Sequence, residues 1–278
     1  MYYIYYMANV LQLDKKIAVI GALAEGNSIR SIERMTGIHR DTIMRLGVAV
    51  GKGCTAMMDR TMRDLTCQRL EMDEIWGFIG KKEHSVTKDD SPEVGSVWTW
   101  CAIDADTKLV PAFHIGLRKR ADAIAFCADV HSRMKNRVQV STDGFHSYAE
   151  AMARSFGNNV DYGQIVKVYG THEFGERRYS VSGVLSAEKF VMNGNPDMDL
   201  ISTSYVERLN ATTRLHMKRL TRLTHAFSKK RENFAAAVGL HFAYYNFVRR
   251  HGTLKTTPAV AAGVSSKAWT VADLVEAA

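Results

Sequence analysis

Between Arg69 and Ile115 the spacing of the apolar residues changes, and that change constrains the fold more than any other feature of the chain. Arg69 to Ile79, Ser96 to Ile103 and Val110 to Ile115 are short runs rich in large apolar residues, the last two joined by the turn formers Asp104-Ala-Asp-Thr-Lys. Three consecutive strands with short links predict an antiparallel meander. Arg120 to Met134 then carries Ala123, Phe126, Cys127 and Val130 at helical spacing, and Val138 to Ser141 reads as a buried fourth strand. A meander that passes through a helix into another strand predicts an α/β chain, with a mixed sheet and helices on its faces.

Before this region the pattern is helical. After a leader at 1–13, Asp14 precedes Ile17, Ile20 and Leu23, Glu25-Gly-Asn stops that helix, and Ser28 can cap a second one bearing Ile29, Ile32 and Met35. Gly37 turns the chain into a third segment with Ile43 and Leu46. This predicts a helix-turn-helix over 14–55, with Ile32, Ile38, Ile43 and Leu46 as its small core and His39, Arg40, Thr42 and Arg45 free to face a major groove; the alternative is an ordinary helical hairpin. Gly51 to Thr66 reads as a connector, with the linker placed at 56–68.

After the fourth strand, residues 170–200 dissolve into Gly, Asn, Ser and charge, and read as a loop-rich insertion containing Glu173, Glu176 and Glu188. A long helix from Thr203 aligns Val206, Leu209, Thr213, Met217, Leu220 and Phe227 in one stripe, with Glu207, Asn210, Arg214 and Lys218 about a quarter turn away. The sheet-bearing domain is placed at 69–228. A helical region over 229–278 follows, its main helix Arg231 to Arg249 turning Phe234, Val238, Phe242, Tyr245 and Val248 inward.

With 37 Lys and Arg against 29 Asp and Glu, the chain carries a formal charge of +8, which attracts polyanions. Arg208, Arg214, Lys218, Arg219, Arg222, Lys229, Lys230 and Arg231 crowd around the helix from Thr203 and read as a phosphate-binding track. The four cysteines stand far apart, without a C-x-x-C pair, so neither zinc nor a disulfide framework is expected, and a reducing cytoplasmic setting is. The most apolar stretch, Phe234 to Val248, is interrupted by His241 and Asn246 and falls short of the roughly 20 residues of a membrane span.

Enzymes that cut phosphodiesters commonly hold two divalent cations about 4 Å apart, and three carboxylates converging from distant points can supply the oxygen ligands. Asp73, in Met72-Asp-Glu-Ile-Trp-Gly, is an acid within a strand, costly to bury unless a cation awaits it. Asp143 ends the fourth strand before Gly144, and Glu207 opens the long helix beside its apolar stripe. Each has a purely structural explanation: an ion pair for Asp73, a turn for Asp143, and for Glu207 the capping box Ser204-Tyr-Val-Glu. Glu74 should point away from Asp73, and Asp104 and Asp106 belong to a turn.

The order of the set, an acid on the first strand, an acid after the fourth and an acid on a later helix with a basic residue two turns on, resembles the DDE transposase and integrase superfamily. The words Met72-Asp-Glu-Ile-Trp-Gly, Ser141-Thr-Asp-Gly-Phe and Ser204-Tyr-Val-Glu-Arg-Leu-Asn-Ala-Thr-Thr-Arg are similar to those of bacterial insertion-sequence transposases of the IS-one type, as is the tail from Tyr244 to Thr257-Pro. The resemblance implies a ribonuclease H-like catalytic domain with Asp73, Asp143 and Glu207 binding two Mg2+ ions, for which Mn2+ can substitute, and with Arg214 contacting DNA near the reacting phosphate. Members often carry a cysteine-paired zinc module ahead of the helix-turn-helix. No such cysteine pair is present here, so either end recognition rests on the helix-turn-helix alone or the chain belongs to a divergent branch. The implied partner is double-stranded DNA at transposon ends and target, bound by a homodimer or larger assembly at the bacterial nucleoid. Two other functions fit the same residues: a nuclease of this fold that does not join ends, and a DNA-binding regulator derived from a transposase.

Overall fold

Alternating apolar and polar side chains make Arg69–Ile79 a strand, β1, and the sheet is assembled around it. In the computed structural model of the chain, residues 11–170 and 184–278 are described. β2 (Gly95–Asp104) pairs antiparallel with β1, setting Asp73 opposite Cys101, and β3 (Phe113–Gly116) pairs antiparallel with β2. The third strand begins at Phe113 rather than at Val110. The side chain of Asn246 donates to the Val110 carbonyl and accepts from its N–H, at 2.9 Å each, so those backbone groups are satisfied without a ladder. The turn before it is held by Asp104, whose carboxylate accepts from Asp106 N at 3.1 Å.

α4 (Arg120–Arg133) carries the chain to β4 (Val138–Asp143), parallel to β1, and α5 (Ser147–Ser155) carries it to β5 (Val160–Tyr169), parallel to β4. β6 (Val184–Asn193) returns antiparallel to β5, giving the order β3-β2-β1-β4-β5-β6. This is a six-stranded mixed sheet flanked by helices, consistent with the ribonuclease H-like architecture that the resemblance implies.

Residues 184–193, expected within a loop-rich insertion, are therefore a strand. The sequence hides it because most of its side chains are exposed, so no apolar alternation marks either face. Glu188 lies on β6, whereas Glu173 and Glu176 fall outside the described residues.

At the N-terminal end, α1 (Leu13–Ala24), α2 (Ile29–Thr36) and α3 (Arg40–Thr61) enclose Val19, Ile32, Ile38 and Ile43, with Leu46 packed against them. Ser28 caps α2 through Ser31 N at 3.1 Å, and Gly37 closes it at φ 69°, where a side chain would be strained. The connector expected from Gly51 is instead helix as far as Thr61. Gly51 and Gly53 are there for close packing and not for a turn. A Cβ on Gly51 would lie 2.1 Å from the carbonyl oxygen of Ala236 on α7 (Arg231–Phe247), and one on Gly53 2.0 Å from that of Ala278. Gly239 of α7 completes the crossing, since its Cβ would meet Thr55 Oγ1 at 2.2 Å.

In an isolated helix Gly51→Ala would stabilise by about 1 kcal/mol. Here the sign should reverse. Overpacking against a backbone carbonyl should cost about 1–3 kcal/mol, read as a lower Tm in thermal melts, and a rise in Tm would show the crossing to be looser than described.

α6 (Ser204–His216) buries Val206, Leu209 and Thr213, but the long helix expected there ends at Met217 and gives way to a 3-10 turn, Lys218–Leu220. The Arg214 guanidinium donates to the Leu220 carbonyl, and the Thr221 hydroxyl donates to the Arg214 carbonyl at 3.3 Å, closing the chain back on itself. Phe227 consequently leaves the predicted stripe and packs on Phe78, ring centroids 5.0 Å apart. The chain continues through α7, α8 (Pro258–Ala261) and α9 (Val271–Ala277), with Trp269 on Phe247 at 4.4 Å between centroids. Among the described residues no helix is long and apolar enough to cross a membrane.

Candidate active site

The site begins with strand alternation. Glu71 and Asp73, two residues apart, share the face of β1 that meets α6, whereas Glu74 turns to the opposite face. Both contacts to α6 are specific. Glu71 Oε2 accepts the N–H groups of Tyr205 at 2.7 Å and Val206 at 2.9 Å, so a buried carboxylate from the sheet caps the helix. Asn210, one turn further along α6, donates to Asp73 Oδ2 at 2.7 Å, and its amide is oriented by the Cys101 thiol, 3.3 Å from Oδ1.

These bonds argue against the capping-box explanation of Glu207. The capping box would turn its carboxylate back to the backbone N–H of Ser204. Instead the Glu207 carboxylate accepts from the Thr203 hydroxyl at 2.7 Å and pairs with Lys167, while the helix N-terminus is satisfied by Glu71. Glu207 is thus on the cleft side of α6.

Asp143 arrives from the adjacent strand. Met72 and Thr142 form the last pair of the parallel β1–β4 ladder, and Asp73 and Asp143 are the residues that follow them on the two strands. One Asp143 oxygen accepts Phe145 N at 3.0 Å, which is the turn role expected of it, and the other lies 3.6 Å from the Arg118 guanidinium. Asp73, Asp143 and Glu207 together line a cleft of about 300 Å³, bordered also by Gly144, Lys167 and Thr203.

Burial and mutual repulsion set the charge. Desolvation, reinforced by the Asp143 and Glu207 carboxylates, pushes the Asp73 pKa up to about 6. Glu74, almost wholly buried, is pushed up to about 7 by desolvation and by Asp73 beside it, against the pull of Arg118, which donates to Glu74 Oε2 at 3.2 Å. Among the described residues its other oxygen and the buried Tyr148 hydroxyl have no hydrogen-bond partner at bonding distance.

Because both folded pKa values lie above the ordinary 3.8 and 4.5, the folded chain holds protons that the unfolded chain has released. Stability of the metal-free protein should therefore be greatest below about pH 4 on account of these two groups, and fall as pH rises to about 6 for Asp73 and 7 for Glu74. Thermal melts across this window should show Asp73→Asn and Glu74→Gln each flattening the fall. Variants with wild-type slopes would refute the assignment.

The donors are all carboxylate oxygens, the ligand type of a hard divalent cation. Among the described residues no three such side chains yet stand close enough to hold one ion, because Glu207 is turned to Lys167 and Thr203, Asp143 to Arg118, and Asp73 to Asn210. The donor set fits such a cation in its chemistry.

The remaining predicted residues divide. His39, Arg40 and Arg45 are exposed on the first turns of α3 and Thr42 is half-buried; His39 also accepts Asp41 N at 3.3 Å as the helix cap. Lys218 and Arg222 are exposed. Arg219 donates to the Ser228 hydroxyl at 2.6 Å, and Arg214 is occupied by the main-chain oxygens of Leu220 and, at 3.5 Å, Trp76, so both brace the region after α6. Sequence reasoning missed Glu71, Lys167, Arg118 and the contact made by Asn210. Glu71 left one signal, an acid at the i−2 position from Asp73 and hence on its face. The others are cross-element partners without a local mark.

No protein-family model and no curated protein matches the chain. Among solved structures it is similar to the cryo-EM structure of the piggyBac transposase synaptic complex with hairpin DNA, with a TM-score of 0.50 at 9% sequence identity, over 95% of this chain and 68% of that one. The likeness is one of fold.

Proposed function

We propose that this chain is a DNA transposase of the DDE type, of the bacterial insertion-sequence kind that its motifs resemble. The observation that carries the proposal is the meeting of Asp73, Asp143 and Glu207, from β1, the end of β4 and the start of α6, around one cleft. Burial, and after it the charges of Asp143 and Glu207, raise the Asp73 pKa there. The transposase fold of the structural neighbour, a complex with hairpin DNA, supports the same function.

Asp73, Asp143 and Glu207 would hold two Mg2+ ions, which when bound supply charge neutralisation at the phosphate and a more acidic water. The chain's own residues do the positioning. Asn210 keeps Asp73 aimed along the sheet, Glu71 fixes the helix that presents Glu207, and Arg118 keeps a positive charge against Asp143. The reaction would begin with hydrolysis at each transposon end, releasing a 3′-hydroxyl. That hydroxyl then attacks a target phosphodiester in line, so neither a covalent protein intermediate nor a nucleotide is required.

Lys218 and Arg222, exposed beyond α6, would track the phosphates, and α2 and α3 would act as a helix-turn-helix with His39, Arg40, Thr42 and Arg45 toward a major groove. Two ends must be held at once, so at least a dimer assembles on DNA.

The test is incubation of the full chain with DNA carrying the element's own ends, with Mg2+ or Mn2+. End-specific nicks and joined products are expected. Nicks without joining would make it a nuclease of this fold, and end-specific binding without any nick would make it a regulator.

A further inference from the structure

Lys167 is the one charged residue among those lining the cleft to which the proposed reaction gives no task. It sits on β5 two residues past Ile165, which pairs with Asp143, so it shares the Ile165 face and projects beyond the end of β4. Its side chain is 18% exposed, it lines the cleft, and its ammonium is bonded to Glu207 Oε1, the same oxygen that accepts from Thr203. Across the ladder it faces Ala187, which offers no charge. Glu207 is its only acidic partner among the described ion pairs.

Arg118, the other cation of the site, is held differently. It is anchored by the buried Glu74 and lies over Phe145 and Trp98, at 4.2 and 5.2 Å from their ring centroids, and it stands 3.6 Å from Asp143. Among the described residues nothing comparable fixes Lys167. A flexible stem with three donors and one exchangeable partner is a point charge that can move.

We infer that Lys167 is a displaceable counter-cation of the active site: it holds Glu207 while no divalent cation is bound, releases it to the metal, and is then free to meet a phosphate oxygen of the DNA. This inference rests on the metal site proposed above. Lys167 and the metal compete for one carboxylate oxygen, so the lysine lowers metal affinity in the absence of DNA. Its charge is recovered when DNA arrives. Metal binding and DNA binding thereby become coupled through a single side chain, since each favours the state that the other needs.

The experiment is Mn2+ titration of the DNA-free full chain, followed by electron paramagnetic resonance or calorimetry, on wild type, Lys167→Met and Lys167→Arg. Lys167→Met should bind Mn2+ about fivefold to tenfold more tightly, the effect of removing one partly screened charge, and should yet cleave DNA at least tenfold more slowly. Lys167→Arg should bind Mn2+ like wild type. Unchanged or weaker binding by Lys167→Met overturns the inference, equal tightening in Lys167→Arg traces the effect to packing and does the same, and undiminished cleavage overturns the phosphate contact. A control separates the two levels: Mn2+ binding that Asp73→Asn and Glu207→Gln leave intact, or no binding at all, overturns the proposed metal site and with it the role of Lys167.

Discussion

Asp73→Asn, Asp143→Asn and Glu207→Gln should each lower strand cleavage at the element's ends on the order of a thousandfold or more, equivalent to about 4 kcal/mol of transition-state stabilisation. Each substitution keeps the side-chain shape and removes one ligand charge. Because the three acids work as one unit, double variants should be little worse than single ones. The fold should survive. In the metal-free protein Asp73→Asn should melt higher than wild type at neutral pH, since it removes a buried carboxylate that desolvation, Asp143 and Glu207 all disfavour. Loss of activity with unchanged or raised Tm would identify a functional site. Cleavage that persists in all three variants would sink the catalytic assignment, and lost activity accompanied by a collapse of Tm would return the acids to a structural role.

Glu71→Ala should damage both stability and chemistry. Its carboxylate is buried and accepts the N–H groups of Tyr205 and Val206, so truncation leaves two donors of α6 unsatisfied and should cost about 2–3 kcal/mol. It should also let the helix shift relative to β1. A displacement of about 1 Å at a reacting centre can cost on the order of a hundredfold in rate, so cleavage should fall by a comparable factor, with partial recovery in Glu71→Gln, which keeps an acceptor. Ser204→Ala provides the contrast. Among the described residues its hydroxyl accepts only from Ser202, at 2.9 Å, and its loss should change Tm and cleavage little. Were Ser204→Ala the more damaging of the two, the local capping box would be the true role of this segment.

The comparison of Glu71 with Ser204 shows why some of the site was legible and some was not. Ser204-Tyr-Val-Glu has the spacing of a capping box, and local physics favours that arrangement. Tertiary structure supplies a better cap from 134 residues away, which releases Glu207 to the cleft. Likewise Gly51 and Gly53 read as breakers, because glycine disfavours helix, until a second helix is brought close enough that only glycine fits. β6 was unreadable for a third reason. Strand patterns are visible when one face is buried, and β6 buries neither.

What the sequence determined by itself was whatever follows from local spacing. Period-two and helical runs located β1, β2, α4, β4 and α7 to within a few residues, and the order of an acid inside one strand, at the end of another and at the head of a helix, through its resemblance to DDE transposases, made Asp73, Asp143 and Glu207 the candidate acids. Only the tertiary structure decided which neighbours those acids have: Asn210 on Asp73, Arg118 on Asp143, Lys167 on Glu207. The physical reason is range. Hydrophobic periodicity and capping propensity act over a few residues and leave a mark in the chain, whereas a carboxylate's charge, hydrogen bonds and partners are fixed by whatever residues folding brings within a few ångströms, and sequence separation carries no record of that.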